Sequence, residues 1–155
     1  MRKKKKNALL YLFLLFLFIF FFFLEEYDRL RPLSYPNANV ILICFSVDNP
    51  ASLSNVNDRW ISEVKHFCKD LPILLVGLKK DLRDDPKVVE ALEKHLEKPI
   101  SYNDGLAAAK KVNAYKYLEC SAKSGDGVKE IFEHATRAAL VKKVTAAPKK
   151  SCILL

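Results

Sequence analysis

Glycine is scarce in this chain. There are four in 155 residues, at 77, 105, 125 and 127, and none before residue 77. A phosphate-cradling loop of the form G-x-x-x-x-G-K-[ST] needs glycines so that backbone amides can close on an anion, a lysine to reach the phosphates and a hydroxyl for Mg²⁺. No such run occurs in these 155 residues, and Gly125-Asp126-Gly127 opens a helical stretch without the lysine–hydroxyl pair at that spacing. Cysteine is equally uninformative as chemistry. Cys44, Cys68, Cys120 and Cys152 show neither C-x-x-C nor metal-ligand spacing, which gives no zinc site and suits a reducing cytosol. Cys44 and Cys120 lie in apolar strand contexts and read as small core residues. His66, His95 and His134 fall on separate helical patterns without a serine or cysteine partner, so surface or packing roles are expected rather than catalysis.

The formal charge of +8 is misleading. Arg2 to Lys6 hold five of the 26 basic residues, leaving 21 against 18 acidic ones. Outside its two ends the chain is only mildly basic, which excludes nucleic acid as the expected partner. The length suits one domain.

Behind Arg2-Lys3-Lys4-Lys5-Lys6 runs an apolar block, Ala8 to Leu24, almost wholly Leu and Phe. As a helix it would span about 26 Å, slightly short of a hydrocarbon core of roughly 30 Å. One reading makes it a short membrane anchor. The flanking charges (basic before it; Glu25, Glu26 and Asp28 after it) would keep the N-terminus in the cytosol and translocate the rest. The other reading makes residues 1–24 non-native, because a translated pyrimidine tract yields Phe and Leu and an adenine run yields Lys. A tryptic peptide from native cells joining the block to Glu25 would decide against the second.

Further along, Val40 to Val47 is an unbroken apolar run, expected as a strand in the middle of a parallel sheet. Asn49-Pro50 should start a helix whose buried face carries Val56, Trp60, Val64 and Phe67. Ile73 to Val76 reads as a second strand. Lys87 to Lys98 reads as an exposed helix with Val88, Val89, Leu92 and Leu96 on one stripe. Ser101 and Asp104 form a capping box for the next helix. Tyr115 to Cys120 reads as a third strand nearer an edge. Asp126 should cap a last helix striped by Val128, Ile131, Phe132, Ala135 and Ala139, with a tail from Val141 onward. Alternating strands and helices imply an α/β fold with a doubly wound parallel sheet.

The second strand ends at Gly77 and breaks into Leu78-Lys79-Lys80-Asp81-Leu82-Arg83. In parallel α/β sheets ligands sit at carboxyl ends of strands; taken alone, the segment is equally an ordinary strand with a solvated turn. Downstream lies Glu119-Cys120-Ser121-Ala122-Lys123-Ser124-Gly125. Together the two stretches resemble the N/T-K-x-D and S-A-K guanine-recognition loops of small GTPases. Glu25 to Pro36 resembles the second switch region of the Rho family. Asp58-Arg59-Trp60, a charged insert after Asp81 and the terminal Cys152-Ile153-Leu154-Leu155 point the same way. Residues 25–155 thus resemble a Rho-type small GTPase lacking its first strands and P-loop, with residues 25–140 as the GTPase part and 141–155 as a basic tail.

The resemblance implies GTP or GDP as ligand. By motif position, Asp81 accepts the N1 and N2 protons of guanine, the Lys79 stem lies along the base, and Ser121, Ala122 and Lys123 form the loop at O6. Leu78 departs from the usual polar residue there, with loss of a hydrogen bond of about 1–3 kcal/mol. Mg²⁺ belongs to the intact family, but its switch threonine and D-x-x-G turn are absent here, and Leu24 stands where the water-positioning glutamine would be. The resemblance places effectors and regulators on Glu25, Tyr27, Asp28, Arg29, Leu30, Arg31 and Leu33. It also makes Cys152 a prenylation site, with terminal Leu favouring geranylgeranyl and Lys142, Lys143, Lys149 and Lys150 as the basic second signal for the cytoplasmic face of a membrane.

Three expectations emerge. The first is a guanine-nucleotide-binding signalling switch, in this form not competent for hydrolysis. The second is an inactive, membrane-tethered interaction module derived from such a protein. The third, an integral membrane protein with a lumenal α/β domain, would be tested by glycosylation or protease protection.

Overall fold

The computed structural model describes residues 30–36 and 38–146. The basic Leu/Phe block 1–24, the candidate partner-surface residues Glu25, Tyr27, Asp28 and Arg29, and the Cys152 box lie outside the described residues. Residues 1–37 and 38–155 are two units. In the first, Arg31–Ser34 forms one 3₁₀ turn with Pro32 inside it, as expected where Pro32 and Pro36 bar a longer helix. Leu30 and Leu33 are exposed there, whereas Arg31 is buried.

The second unit carries three strands in the order β1-β2-β3, all parallel: β1 (Ile41–Ser46), β2 (Ile73–Leu78) and β3 (Lys116–Glu119). Ile41 pairs with Ile73 and Ser46 with Leu78; Leu74 pairs with Lys116 and Gly77 with Glu119. Among the described residues β2, not β1, is therefore the central strand. Its first five residues are all buried, while β1 alternates between buried and half-buried positions. An apolar run alone does not separate these two positions, since both strands read as continuous hydrophobic stretches.

Among the described residues of this unit, five α-helices, a π turn and a short 3₁₀ turn accompany the strands. Asn49 caps α1 (Pro50–Asn55), its side chain accepting from the Ser52 amide. A π turn, Val56–Trp60, leads into α2 (Ile61–Phe67). The π turn adds a residue to the helical repeat and so rotates the faces of α2. Val56 and Val64 are buried as expected, but Ile61 and Cys68 join them while Phe67 is half exposed. Beyond the bulge the expected stripe keeps Val64 but loses Phe67 for that reason.

Asp85 caps α3 (Pro86–Glu93), which ends five residues short of the expected Lys98. Leu96 is fully exposed at φ 59°, off any helical stripe. Ser101 and Asp104 form the expected capping box of α4 (Tyr102–Val112). The last helix, α5 (Val128–Ala146), begins after Gly127 and continues six residues into the expected tail. Val141 to Ala146 contains no glycine or proline to stop it, and Pro148 is the first breaker in the sequence.

On one face of the sheet Leu74, Val76 and Cys120 pack with Ile131, Ala135 and Ala138 of α5, joined by Leu42, Cys44, Leu78, Leu118 and Val128. The alternate residues of the strands point the other way. There Phe45 and Tyr117 stack with centroids 6.1 Å apart, and Tyr102 of α4 lies 5.2 Å from Tyr117. The carboxyl ends of all three strands thus meet at one edge of a packed unit, and the candidate loops leave from there.

Candidate functional site

The loop after β2 is anchored by its own backbone before any side chain acts. Lys79 adopts φ 57°, ψ 40°, which turns the chain sharply out of the strand and starts the 3₁₀ turn Lys80–Leu82. The Lys80 amide donates to the Cys120 carbonyl at 3.0 Å, and the Cys120 amide to the Gly77 carbonyl at 2.9 Å. The two candidate loops are therefore stitched to each other at their roots. Gly77 makes the close approach possible: a Cβ there would stand 3.0 Å from Tyr117 Oη, 3.2 Å from Glu119 Cγ and 3.3 Å from Phe45 Cζ.

The second loop closes on itself through Ser121. This serine is wholly buried, its amide donating to the Asp126 carbonyl at 2.9 Å and its Oγ accepting from the Ser124 amide at 3.2 Å. Ala122 and Lys123 are exposed at the tip. Serine is needed here for a local reason: its hydroxyl satisfies a turn amide that the short loop leaves without a backbone partner.

Charged side chains then tie the first loop in three directions. Lys79 Nζ lies 3.2 Å from Asp48 Oδ2, beyond the end of β1. Lys80 pairs with Asp126, ahead of α5. Arg83 makes a two-pronged ion pair with Glu119, Nη1–Oε2 2.9 Å and Nη2–Oε1 2.6 Å, and its Nε donates to the Ile100 carbonyl at 2.9 Å. The expected capping of the last helix by Asp126 does not occur; the helix starts two residues later, and the carboxylate turns to Lys80 instead.

Asp81 is different. It sits on the same turn, exposed, and its carboxylate makes no hydrogen bond or ion pair among the described residues. Its neighbours Lys79, Lys80 and Arg83 all have partners. An acceptor-only group is thus held in place by the backbone around it while its own oxygens stay open. That is the chemistry required to receive two N–H donors from a planar base.

The electrostatics derive from this wiring. Burial raises the Asp48 carboxyl, but hydrogen bonds from Ser46 and Lys79 outweigh it and hold it below the ordinary range. Burial, then the Glu119 hydrogen bond, raises the Tyr117 phenol far above its usual value. Burial pushes the Cys44 thiol up to about 12 and also raises Cys120. Neither thiol has nucleophile character. Among the described residues no cluster of His, Cys, Asp and Glu is arranged to hold a metal ion, and no helix is long and apolar enough to cross a membrane.

Leu78 ends β2 and packs against the apolar cluster on the α5 side. Its departure from a polar residue is accommodated as core, not left as an apolar side chain in water. The bridging residues Asp48, Lys80, Arg83, Glu119 and Asp126 do not stand out as site residues in the sequence. One signal is there: Arg83 comes two positions after Asp81 and Glu119 two before Ser121, with opposite charge. Their pairing across 36 residues is a tertiary fact.

Comparison with known proteins gives the family. The Ras family profile matches residues 24–141. "GTP-binding protein rho5" of Schizosaccharomyces pombe is 60% identical over 136 residues, covering 84% of this chain and 68% of that protein. "GTP-binding protein rho1" of the same organism is 59% identical over 138 residues, with the same coverage. Human "Rho-related GTP-binding protein RhoB" is 57% identical over 119 residues, covering 77% of this chain and 61% of its own length. The chain belongs to the Rho family of small GTPases, within the Ras family.

Proposed function

We propose that this chain recognises the guanine base of GDP and GTP through Asp81, with Lys79 along the base and Ser121, Ala122 and Lys123 at O6, and that it serves a Rho-type signalling switch. The observation that carries the reading is the open Asp81 carboxylate on a turn fixed to the neighbouring loop by the Lys80–Cys120 backbone bond. Guanine offers two adjacent N–H donors to such a carboxylate, and adenine does not. A site whose polar group would be left unpaired discriminates strongly against the wrong base.

The same reading limits what the 155 residues do with the phosphates. They contain no G-x-x-x-x-G-K-[ST] run, no switch threonine and no D-x-x-G turn, so neither Mg²⁺ nor the γ-phosphate has the usual grip. In this form the chain binds guanine nucleotide weakly and does not hydrolyse GTP. Cys152, as a geranylgeranyl acceptor beside a lysine-rich tail, directs it to the cytoplasmic face of a membrane. Glu25, Tyr27, Asp28, Arg29, Leu30, Arg31 and Leu33 are the surface for effectors and regulators, with Arg31 buried within it and Leu30 and Leu33 exposed.

The test is nucleotide binding by the full chain. GMP, GDP and GTP should bind with similar, weak affinity with or without Mg²⁺, and Asp81→Ala should abolish the binding. Tight Mg²⁺-dependent retention of GDP would overturn the phosphate part of the reading. A preference for AMP over GMP would overturn the base part.

A further inference from the structure

We propose that Arg83 and Glu119 are positioning residues for base selection: their ion pair fixes where the Asp81 carboxylate stands relative to the Ser121–Lys123 loop. This rests on the guanine-site reading and goes beyond it, since neither residue would touch the base.

The argument starts from which tie can set a position. Three ion pairs hold the 79–83 segment, but two of them are wet. Lys79 is 58% exposed in its pair with Asp48, and Asp126 is 62% exposed in its pair with Lys80. Exposed single-point pairs are screened and impose little geometry. The third is of another kind. The Glu119 side chain is only 8% exposed and Arg83 24%, and the contact is two-pronged, which fixes orientation as well as distance.

Both partners are themselves immobilised. Arg83 donates its remaining inward N–H, Nε, to the Ile100 carbonyl. Glu119 Oε1 also accepts from the Tyr117 hydroxyl, and Tyr117 is clamped by the Phe45 stack and by Gly105. The pair is therefore a rigid strut, not a flexible surface contact. Its two ends fall at matching places: Arg83 stands two residues after Asp81, and Glu119 two residues before Ser121. Leu78, which packs into the apolar cluster, contributes no side-chain hydrogen bond to share the task. A carboxylate that must meet two donors tolerates little displacement, so a strut between the two loops becomes a specificity element without contacting ligand.

The experiment compares GMP with IMP, which lacks the 2-amino donor, by ligand-observed NMR on the full chain. The proteins are the unaltered chain, Glu119→Gln, Arg83→Lys, the exchange Arg83→Glu with Glu119→Arg, and Asp81→Ala. Glu119→Gln keeps size and hydrogen-bonding capacity while removing charge, so it carries the test even where the exchange fails to fold; circular dichroism checks each variant. The unaltered chain should prefer GMP. Glu119→Gln and Arg83→Lys should each reduce the GMP/IMP ratio by about tenfold, the size of a charge-assisted hydrogen bond, and a folded exchange variant should recover part of it. Lowered melting temperatures with an unchanged GMP/IMP ratio in folded variants would overturn the proposal and leave the base site standing. No GMP preference in the unaltered chain, with no effect of Asp81→Ala, would overturn the base-site reading and this inference together.

Discussion

Lys79 leaves the end of β2 in a left-handed conformation and places its ammonium against the Asp48 carboxylate, 3.2 Å from Oδ2. Two adjacent parallel strands are thus joined by charge just beyond the last rung of their ladder, where Ser46 pairs with Leu78.

This pair gives the first prediction, a dependence on pH. The Asp48 carboxyl is held below its ordinary value by Ser46 and Lys79 against the effect of burial. A group with a depressed folded pKa contributes stability that is complete above its unfolded pKa and is lost as pH falls through the folded one. Denaturation curves of the chain and of Asp48→Asn should therefore differ near neutral pH, by less than about 1 kcal/mol for a pair this accessible. The gap should close on acidification below the normal aspartate range. A difference that persists at pH of about 2 would show that Asp48 acts through packing and not charge.

Gly105 is fixed by its neighbour. An added Cβ would overlap the Tyr117 ring and hydroxyl, and Tyr117 cannot retreat because Phe45 stacks on it and Glu119 holds its hydroxyl. Gly105→Ala should destabilise the unit by about 1–3 kcal/mol through overpacking, despite the better helix propensity of alanine. Thermal unfolding of Gly105→Ala, with and without Tyr117→Leu, measures this. The second change should remove most of the penalty that the first imposes.

Leu78→Asn makes the position polar, as in the usual family motif. In this chain Leu78 is partly buried against the apolar cluster on the α5 side of the sheet, so the substitution should cost about 1–3 kcal/mol of stability with no gain in GMP affinity. Chemical denaturation together with GMP titration separates the two effects. A gain in affinity would mean that the loop has a free partner for the new amide, which the present wiring does not provide.

Cys44 should be inert in the native state. With a thiol pKa of about 12, the thiolate fraction at pH 8 is on the order of one in ten thousand. Iodoacetamide at pH 8 should leave Cys44 unmodified in the folded chain and alkylate it fully in denaturant, as read by peptide mass spectrometry. Rapid native labelling of Cys44 would mean that the thiol of this half-buried residue ionises in the folded chain.

Ser121→Ala removes the buried acceptor of the Ser124 amide in an otherwise exposed turn. The expected cost is about 1–3 kcal/mol, and amide hydrogen exchange should rise at Ser124 before it rises in β3. Uniform acceleration across β3 would instead place Ser121 in the cooperative core.

The sequence by itself determined the elements and the identity of the loops. Continuous apolar runs mark β1 and β2, and Asn49-Pro50 and the Ser101–Asp104 box mark helix starts, because each of these is a local matter of hydrophobicity or capping; the two motif loops mark candidate site residues by their family resemblance. Tertiary structure alone decided the rest. A π turn moved the buried face of α2 from Phe67 to Ile61 and Cys68, and strand order put β2 rather than β1 at the centre of the described sheet. Long-range pairing chose which charges hold the site (Arg83 with Glu119, Lys79 with Asp48) and left the Asp81 carboxylate open. A charged residue reads the same in sequence whether it is paired or free, and only the packing of distant strand ends brings its partner within reach.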